Sequence, residues 1–189
     1  MTRASSSALV ILAWWKAGRP LSALGLDVPV GIPGRVGLII DVGIVGYYLA
    51  SVQFSRRTRS QLVATRDRLR RLGSYDMLPK TPGEFAVFPV AAVAGSICEE
   101  LLYRGFLIGV LTPRLGMAGA VLSSAVLFGL GHAYQGWIGV ARTTVIGCAF
   151  GVAFAQTHSL WWLLIAHASA NLSGTFLAWR MLAESSESA

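Results

Sequence analysis

The stretch SICEELLYRG, residues 96–105, places two adjacent glutamates and an arginine inside a long apolar run. A charged side chain at mid-bilayer costs about 2.5–3.5 kcal/mol on insertion scales. Three acting independently would cost about 8–10 kcal/mol, comparable with the net stability of a whole domain. They are therefore expected to be partnered and to face a bundle interior or water. Helical spacing assigns the partners. Glu100 and Arg104 are four residues apart, share a face and can form an ion pair. Glu99 is rotated by about 100° from Glu100 and is left for another role. Tyr103, four residues after Glu99, can stand beside it.

Composition says what the surrounding run is. The 189-residue chain is 54% hydrophobic and 13% charged, with a mean hydropathy of +0.59. Soluble domains carry about 25% charged residues. Half that proportion, with several apolar runs near 20 residues long, reads as an integral membrane protein. The net charge of +7 does not point to nucleic acid. Eight of the 16 basic residues fall between Arg56 and Lys80, in one segment between apolar runs. No nucleic-acid recognition motif accompanies them. By the positive-inside rule, 55–80 is a basic cytoplasmic loop. The C-terminus then lies on the same side, and a bacterial plasma membrane is the expected location. Leu62, Leu69 and Leu72 form a thin apolar stripe that suits a helix lying on anionic lipid. A solvated loop is the alternative.

Residues 7–15, SALVILAWW, fit a signal core, an interfacial helix or a marginal span. Residues 18–35 are rich in Gly and Pro and read as loop. VGLIIDVGIVGYYLASVQF, 36–54, reads as a span with Asp41 near its start, within reach of the interface. TPGE at 81–84 announces a helix: Thr81 caps, Pro82 suits the first turn and Glu84 completes a capping box. That helix is expected to kink at Pro89 and to end at Thr112, before Pro113. Further spans are expected at 117–134, 138–156 and 159–180. The expected fold is all-α: a polytopic membrane helical bundle of about five to six transmembrane helices. It forms one domain over 1–189, with a motif-bearing core at about 81–181. Gly105/Gly109 and Gly147/Gly151 are small-xxx-small pairs that permit close packing. Cys98 and Cys148 have no zinc-type spacing and no disulfide framework. They read as small buried hydrophobes, a thiol nucleophile at Cys98 being the alternative.

Two later spans carry polar pairs. FGLGH places Phe128 and His132 four apart, and HASAN does the same for His167 and Asn171. Each histidine alone is most simply a hydrogen-bonded bundle residue, and His158, in a loop, is that ordinary case. Together they form a richer set. Helix rise puts Glu99, His132, His167 and Asn171 about 8–20 Å from the same membrane face. A carboxylate beside an imidazole can take a proton from water. A second imidazole and an amide NH₂ can donate to a developing oxyanion. No serine stands in a nucleophile-elbow motif. The set fits water-mediated peptide hydrolysis within the membrane.

EELLYR at 99–104, FGLGH at 128–132 and HASAN at 167–171 resemble the EExxxR, FxxxH and HxxxN motifs of the CPBP family. These are the type II CAAX prenyl proteases and the bacteriocin-processing enzymes, also called Abi proteins. The resemblance covers about residues 81–175. It implies an all-helical glutamate intramembrane protease, CAAX-protease-like in fold. It implies that Glu99 and His132 activate water and that His167 and Asn171 form the oxyanion site. Glu100, Arg104 and Phe128 are then supporting motif residues. His158 stands where relatives often have a glycine before SLW. The prenyl-cysteine substrate of the eukaryotic enzymes does not carry over on three motifs alone.

The expected function is an endopeptidase acting on a membrane-associated peptide or protein, with the lipid bilayer as its setting and no cofactor. Zinc held by Glu99, His132 and His167 is a less favoured variant, because the spacing is not HExxH. A non-catalytic membrane immunity or interaction protein of the same fold is the alternative. A small transporter with a proton relay ranks last, for want of an internal repeat.

Overall fold

The apolar runs of the sequence fold as helices. The computed structural model describes residues 11–12, 14–28, 30–53, 58–73, 75 and 78–186, and no strand occurs among them. A 3₁₀ turn at Leu21–Leu24 precedes α1 (Gly31–Gln53) and α2 (Arg59–Arg71). Next come α3 (Pro82–Glu100), a π-helical segment (Leu101–Ile108) and α4 (Gly109–Leu130). After a 3₁₀ turn at Ala133–Gln135, α5 (Gly136–Thr157) and α6 (Trp161–Ser186) complete the chain. By length and composition, two described stretches can cross a membrane: Pro82–Leu130 and Ala133–Thr157. On this measure two stretches qualify, against the expected five to six spans; the first joins two of the expected spans.

The ends of the helices follow from local chemistry. Thr81 Oγ1 accepts from the Glu84 N–H, and the Glu84 carboxylate accepts from the Thr81 N–H, so the expected capping box forms. α3 runs through Pro89 without a break. The helical path also runs past Pro113 and breaks at Gly116, φ 67° and ψ 169°. Proline inside a helix removes one N–H donor, whereas glycine alone adopts this backbone conformation without a Cβ penalty. The carbonyl of Gly109, four residues before Pro113, lies 3.5 Å from Arg19 Nη1, which donates to it. α1 begins at Gly31, five residues earlier than expected, with Pro33 in its first turn. Asp41 therefore lies well inside the helix rather than at its start. It is buried, and its Oδ2 makes no hydrogen bond among the described residues.

Residues 59–71 of the basic segment form a helix. Thr58 and Gln61 form a capping box at the start of α2. Leu62 is buried against Leu69 and Leu78. Residues 54–57, 74, 76 and 77 of this segment lie outside the described residues, as do 1–10 and 13 of the N-terminal run. Within the described part of that run Trp14 packs inward, while Ile11, Leu12 and Trp15 are exposed. Trp14 is buried, its Nε1 donates to Pro20 O at 2.9 Å, and its ring meets Phe106 edge-on.

After Gly116 the chain doubles back, and Ser124 Oγ donates to the Tyr103 carbonyl at 2.7 Å. The two glycine pairs then act differently. A Cβ on Gly147 would lie 3.0 Å from Phe128 Cδ1 and 3.2 Å from Ala125 Cα, and one on Gly151 would lie 2.8 Å from Val121 Cγ1. This is the expected close approach of antiparallel α4 and α5. Gly105 and Gly109 instead receive the N-terminal segment. A Cβ there would lie 2.9 Å from Leu24 O and 2.9 Å from Trp14 Cη2, respectively. His158 caps α5 in the left-handed conformation, φ 49° and ψ 30°. That is the conformation a glycine adopts at least cost.

Gly147→Leu should lower stability by about 1–3 kcal/mol through overpacking, read as a fall in melting temperature of the detergent-solubilised protein. Gly46→Leu, where a Cβ meets nothing within 4 Å, should leave the melting temperature unchanged.

Candidate active site

Glu100 and Arg104 form the ion pair that their spacing predicts. Arg104 Nη1 donates to Glu100 Oε1 at 2.9 Å, and both side chains are 0% exposed. Arg104 lies in the π segment, where the backbone ladder widens. Such segments cluster at functional sites, and nothing in the local sequence signals this one. The guanidinium carbon sits 4.3 Å from the Phe128 ring centroid and 5.3 Å from that of Phe150. Its Nη2 donates to Gly147 O at 3.4 Å. The charge is thus held by one carboxylate, one carbonyl and two aromatic rings. Phe128 takes the supporting place expected of it; Phe150 and Gly147 were not foreseen as site residues.

Glu100 has a second partner. His167 Nδ1 lies 2.7 Å from Glu100 Oε1. A carboxylate paired with arginine only accepts, so Nδ1 carries the hydrogen and donates. His132 is fixed in the same way, since its Nδ1 lies 2.8 Å from the Phe128 carbonyl, which also only accepts. His132 is not on the same helix as Phe128, as its spacing suggests, but in the turn just after α4, φ −105° and ψ 21°. There its ring takes a carbonyl from the last helical turn, one of the groups that a helix end leaves unsatisfied.

With their Nδ1 atoms engaged, both rings turn Nε2 toward the remaining glutamate. Glu99 Oε2 lies 3.9 Å from His132 Nε2 and 3.6 Å from His167 Nε2. These separations exceed a direct hydrogen bond and suit a bridging water. Asn171 lies one turn beyond His167. Its Nδ2 donates to Ser96 Oγ at 2.9 Å, and Ser96 Oγ donates to Ala92 O at 3.0 Å. Ser96 spends its only hydrogen on that carbonyl, so it must accept from the amide; this sets which way Asn171 faces. One N–H of Asn171 remains for another acceptor.

The structure therefore brings Glu99, Glu100, Arg104, Phe128, His132, His167 and Asn171 into one cluster. Ser96 is the partner that sequence reading missed. A signal existed: Ser96 and Glu100 are four apart on α3, as His167 and Asn171 are on α6, and antiparallel packing pairs them. Tyr103 rests edge-on against Phe128 at 5.1 Å between centroids. Cys98 and Cys148 are free thiols. No three His, Cys, Asp or Glu side chains among the described residues are grouped so as to hold a metal ion. Phe128, His132, His167 and Asn171 face a cavity of about 1010 Å³ between α1, α5 and α6.

A family model described as type II CAAX prenyl endopeptidase Rce1-like matches residues 81–173. Over these residues the chain is similar to the CAAX-protease-like family. The matched segment begins at the Thr81 cap and ends just after Asn171, so it contains the whole cluster. The family is integral to membranes, in keeping with the apolar helices, and is generally a protease family. No curated protein and no solved structure matches the chain.

Arg104→Leu leaves Glu100 buried without its cation and should cost about 3–5 kcal/mol. The double variant Arg104→Leu/Glu100→Leu should regain much of that loss, since no buried charge is left unpaired. Thermal melts of the three purified proteins compare these outcomes directly.

Proposed function

We propose that this protein is an intramembrane endopeptidase that hydrolyses a peptide bond in a membrane-associated peptide or protein. The observation that carries the proposal is the pointing of two imidazole Nε2 atoms at the same Glu99 oxygen, beside a cavity wide enough for a peptide segment. In this reading a water sits between Glu99 and His132. Glu99 takes one proton as the water oxygen bonds to the substrate carbonyl carbon. His132, with Nδ1–H held by the Phe128 carbonyl, presents a lone pair that orients the same water. The oxyanion forms near His167 and Asn171. The second Asn171 N–H donates to it. His167 Nε2 can donate only in the doubly protonated ring, whose Nδ1–H stays on Glu100. The carbon–nitrogen bond then breaks, and Glu99 returns the proton to the leaving amine.

Glu100 and Arg104 support this arrangement without touching the reacting atoms. Their task is to hold His167. Ser96 does the same for Asn171. The C-terminus and the 55–80 segment are placed on the cytoplasmic side by the distribution of basic residues.

Glu99→Gln keeps the shape and removes the base. General acid–base catalysis contributes about 10²–10⁴-fold, so processing should fall by that factor while the folded protein melts as before. Comparative proteomics of membrane fractions from cells expressing wild-type and Glu99→Gln chains identifies the precursor that accumulates. Processing that persists in a folded Glu99→Gln protein would support the non-catalytic immunity or interaction reading instead. Ser96→Ala should lower kcat about tenfold, one hydrogen bond's worth of orientation, with little change in KM. Ser96→Thr, which retains the hydroxyl, should recover most of the rate.

A further inference from the structure

The basic helix α2 has two sides with different fates. Leu62 is buried, and Leu69 and Leu78 pack against it. Leu72, just past the helix, reaches to within 3.3 Å of where a Cβ on Gly136 would lie. The leucine stripe is thus spent on the bundle and is not the lipid-facing surface its spacing suggests. A second stripe is not spent. Arg59, Val63, Arg66 and Arg70 follow one another at helical spacing along one side of α2. That side lies about 80° around the axis from Leu62 and Leu69, so it is turned sideways from the bundle. Arg59, Val63 and Arg70 are exposed and Arg66 is half-buried. α2 carries five arginines against one aspartate, Asp67. Among the described residues none of the five arginines is in an ion pair.

The position of α2 decides what this side meets. The two described stretches able to cross a membrane begin at Pro82 and Ala133. α2 ends shortly before the first, and Leu72 abuts the start of the second. α2 therefore lies at the bundle end where both enter the bilayer, the height of the lipid headgroups. Two of the three arginines are already held in place. The Arg70 guanidinium carbon lies 4.8 Å from the Tyr75 ring centroid. Arg66 Nε is enclosed, so its stem is packed rather than free. Little side-chain freedom is then lost on binding. Guanidinium forks match phosphate oxygens, and clusters of about 4–8 basic residues beside a membrane entry attract anionic leaflets.

We propose that the Arg59/Arg66/Arg70 side of α2 is a docking surface for anionic phospholipid headgroups in the leaflet on that side. The phosphates accept from the guanidinium donors, and Val63, between Arg59 and Arg66, rests on the apolar layer beneath them. Arg68 and Arg71 lie further round the helix, are exposed and face water. The docking needs only the folded helix and does not depend on the proteolytic reading. It steadies the helix whose neighbour Leu72 abuts Gly136, at the foot of α5 just after the turn that carries His132.

The test measures amide hydrogen exchange over residues 59–72 of the purified full chain in nanodiscs. The lipid is phosphatidylcholine alone or an equal mixture with phosphatidylglycerol. Exchange in the mixture should be slower by about tenfold or more. Salt at about 1 M, where the screening length falls to about 3 Å, should erase the difference. Arg59→Gln/Arg70→Gln should lose most of it. Arg68→Gln/Arg71→Gln removes the same charge from the water-facing side and should keep it. Each variant is compared with itself in the two lipids, so a change in helix stability cancels. Arg59→Gln alone leaves Tyr75 untouched and should lose a several-fold part of the protection, even if the double variant unfolds α2. Equal exchange of the wild-type chain in both lipids overturns the docking surface. So does an equal loss in the two Gln pairs, which would mean diffuse attraction to the whole helix. Inorganic phosphate or polyglutamate added to phosphatidylcholine discs should not reproduce the protection. If either does, the arginines serve a soluble anion or an acidic protein, and the lipid assignment fails.

Discussion

The bundle depends on one buried ion pair. Arg104 and Glu100 are both wholly enclosed, and neither is tolerable there alone. Their mutual bond is local, four residues along one chain segment, so it forms whenever that segment is helical. What surrounds it is not local. Phe128 and Gly147 come from α4 and α5, and His167 from α6. Partnering Arg104 and Glu100 Oε1 therefore draws three further helices to the same point, while Arg104 Nε and Glu100 Oε2 stay buried without a hydrogen bond among the described residues. A polar pair in oil works as an assembly instruction, because every other arrangement leaves a charge exposed to apolar surroundings.

The same pair reaches the chemistry through shared atoms. Glu100 Oε1 accepts from both Arg104 and His167. Fold and site are thus joined by a single oxygen. The bond to His167 sets which ring nitrogen carries hydrogen, and hence which nitrogen turns to Glu99. His132 is set by a different acceptor, the Phe128 carbonyl at a helix end. Two imidazoles with similar tasks are oriented by unrelated means. Glu100 thus orients only His167 of the two rings, and the end of α4 orients His132.

Close approach makes these bonds short enough. Between membrane helices, packing rather than water exclusion drives association. Gly147 and Gly151 let α5 lie directly on α4, which brings the Gly147 carbonyl within reach of Arg104. Gly105 and Gly109 serve the other side of the π segment, where Leu24 and Trp14 pack on the bare backbone. The N-terminal segment thus buttresses the strand of chain that carries Arg104. Arg19, at the end of that buttress, also supplies the donor that Pro113 lacks.

Much of this was legible in the residues. The apolar runs placed the helices, since backbone polar groups in oil must be satisfied within each segment. The i,i+4 rule paired Glu100 with Arg104 and separated Glu99, because helix periodicity is a local property. TPGE marked a helix start through its own side chains. Three motifs named the cluster residues. Other features needed the folded chain. A break at Gly116 rather than at Pro113 depends on where the chain must turn back. The inward packing of Trp14 depends on what Gly109 leaves open. The His167 tautomer and the role of Ser96 arise from contacts across dozens of residues. Sequence spacing reports neighbours along a helix; only tertiary packing decides which helices bring their polar faces together.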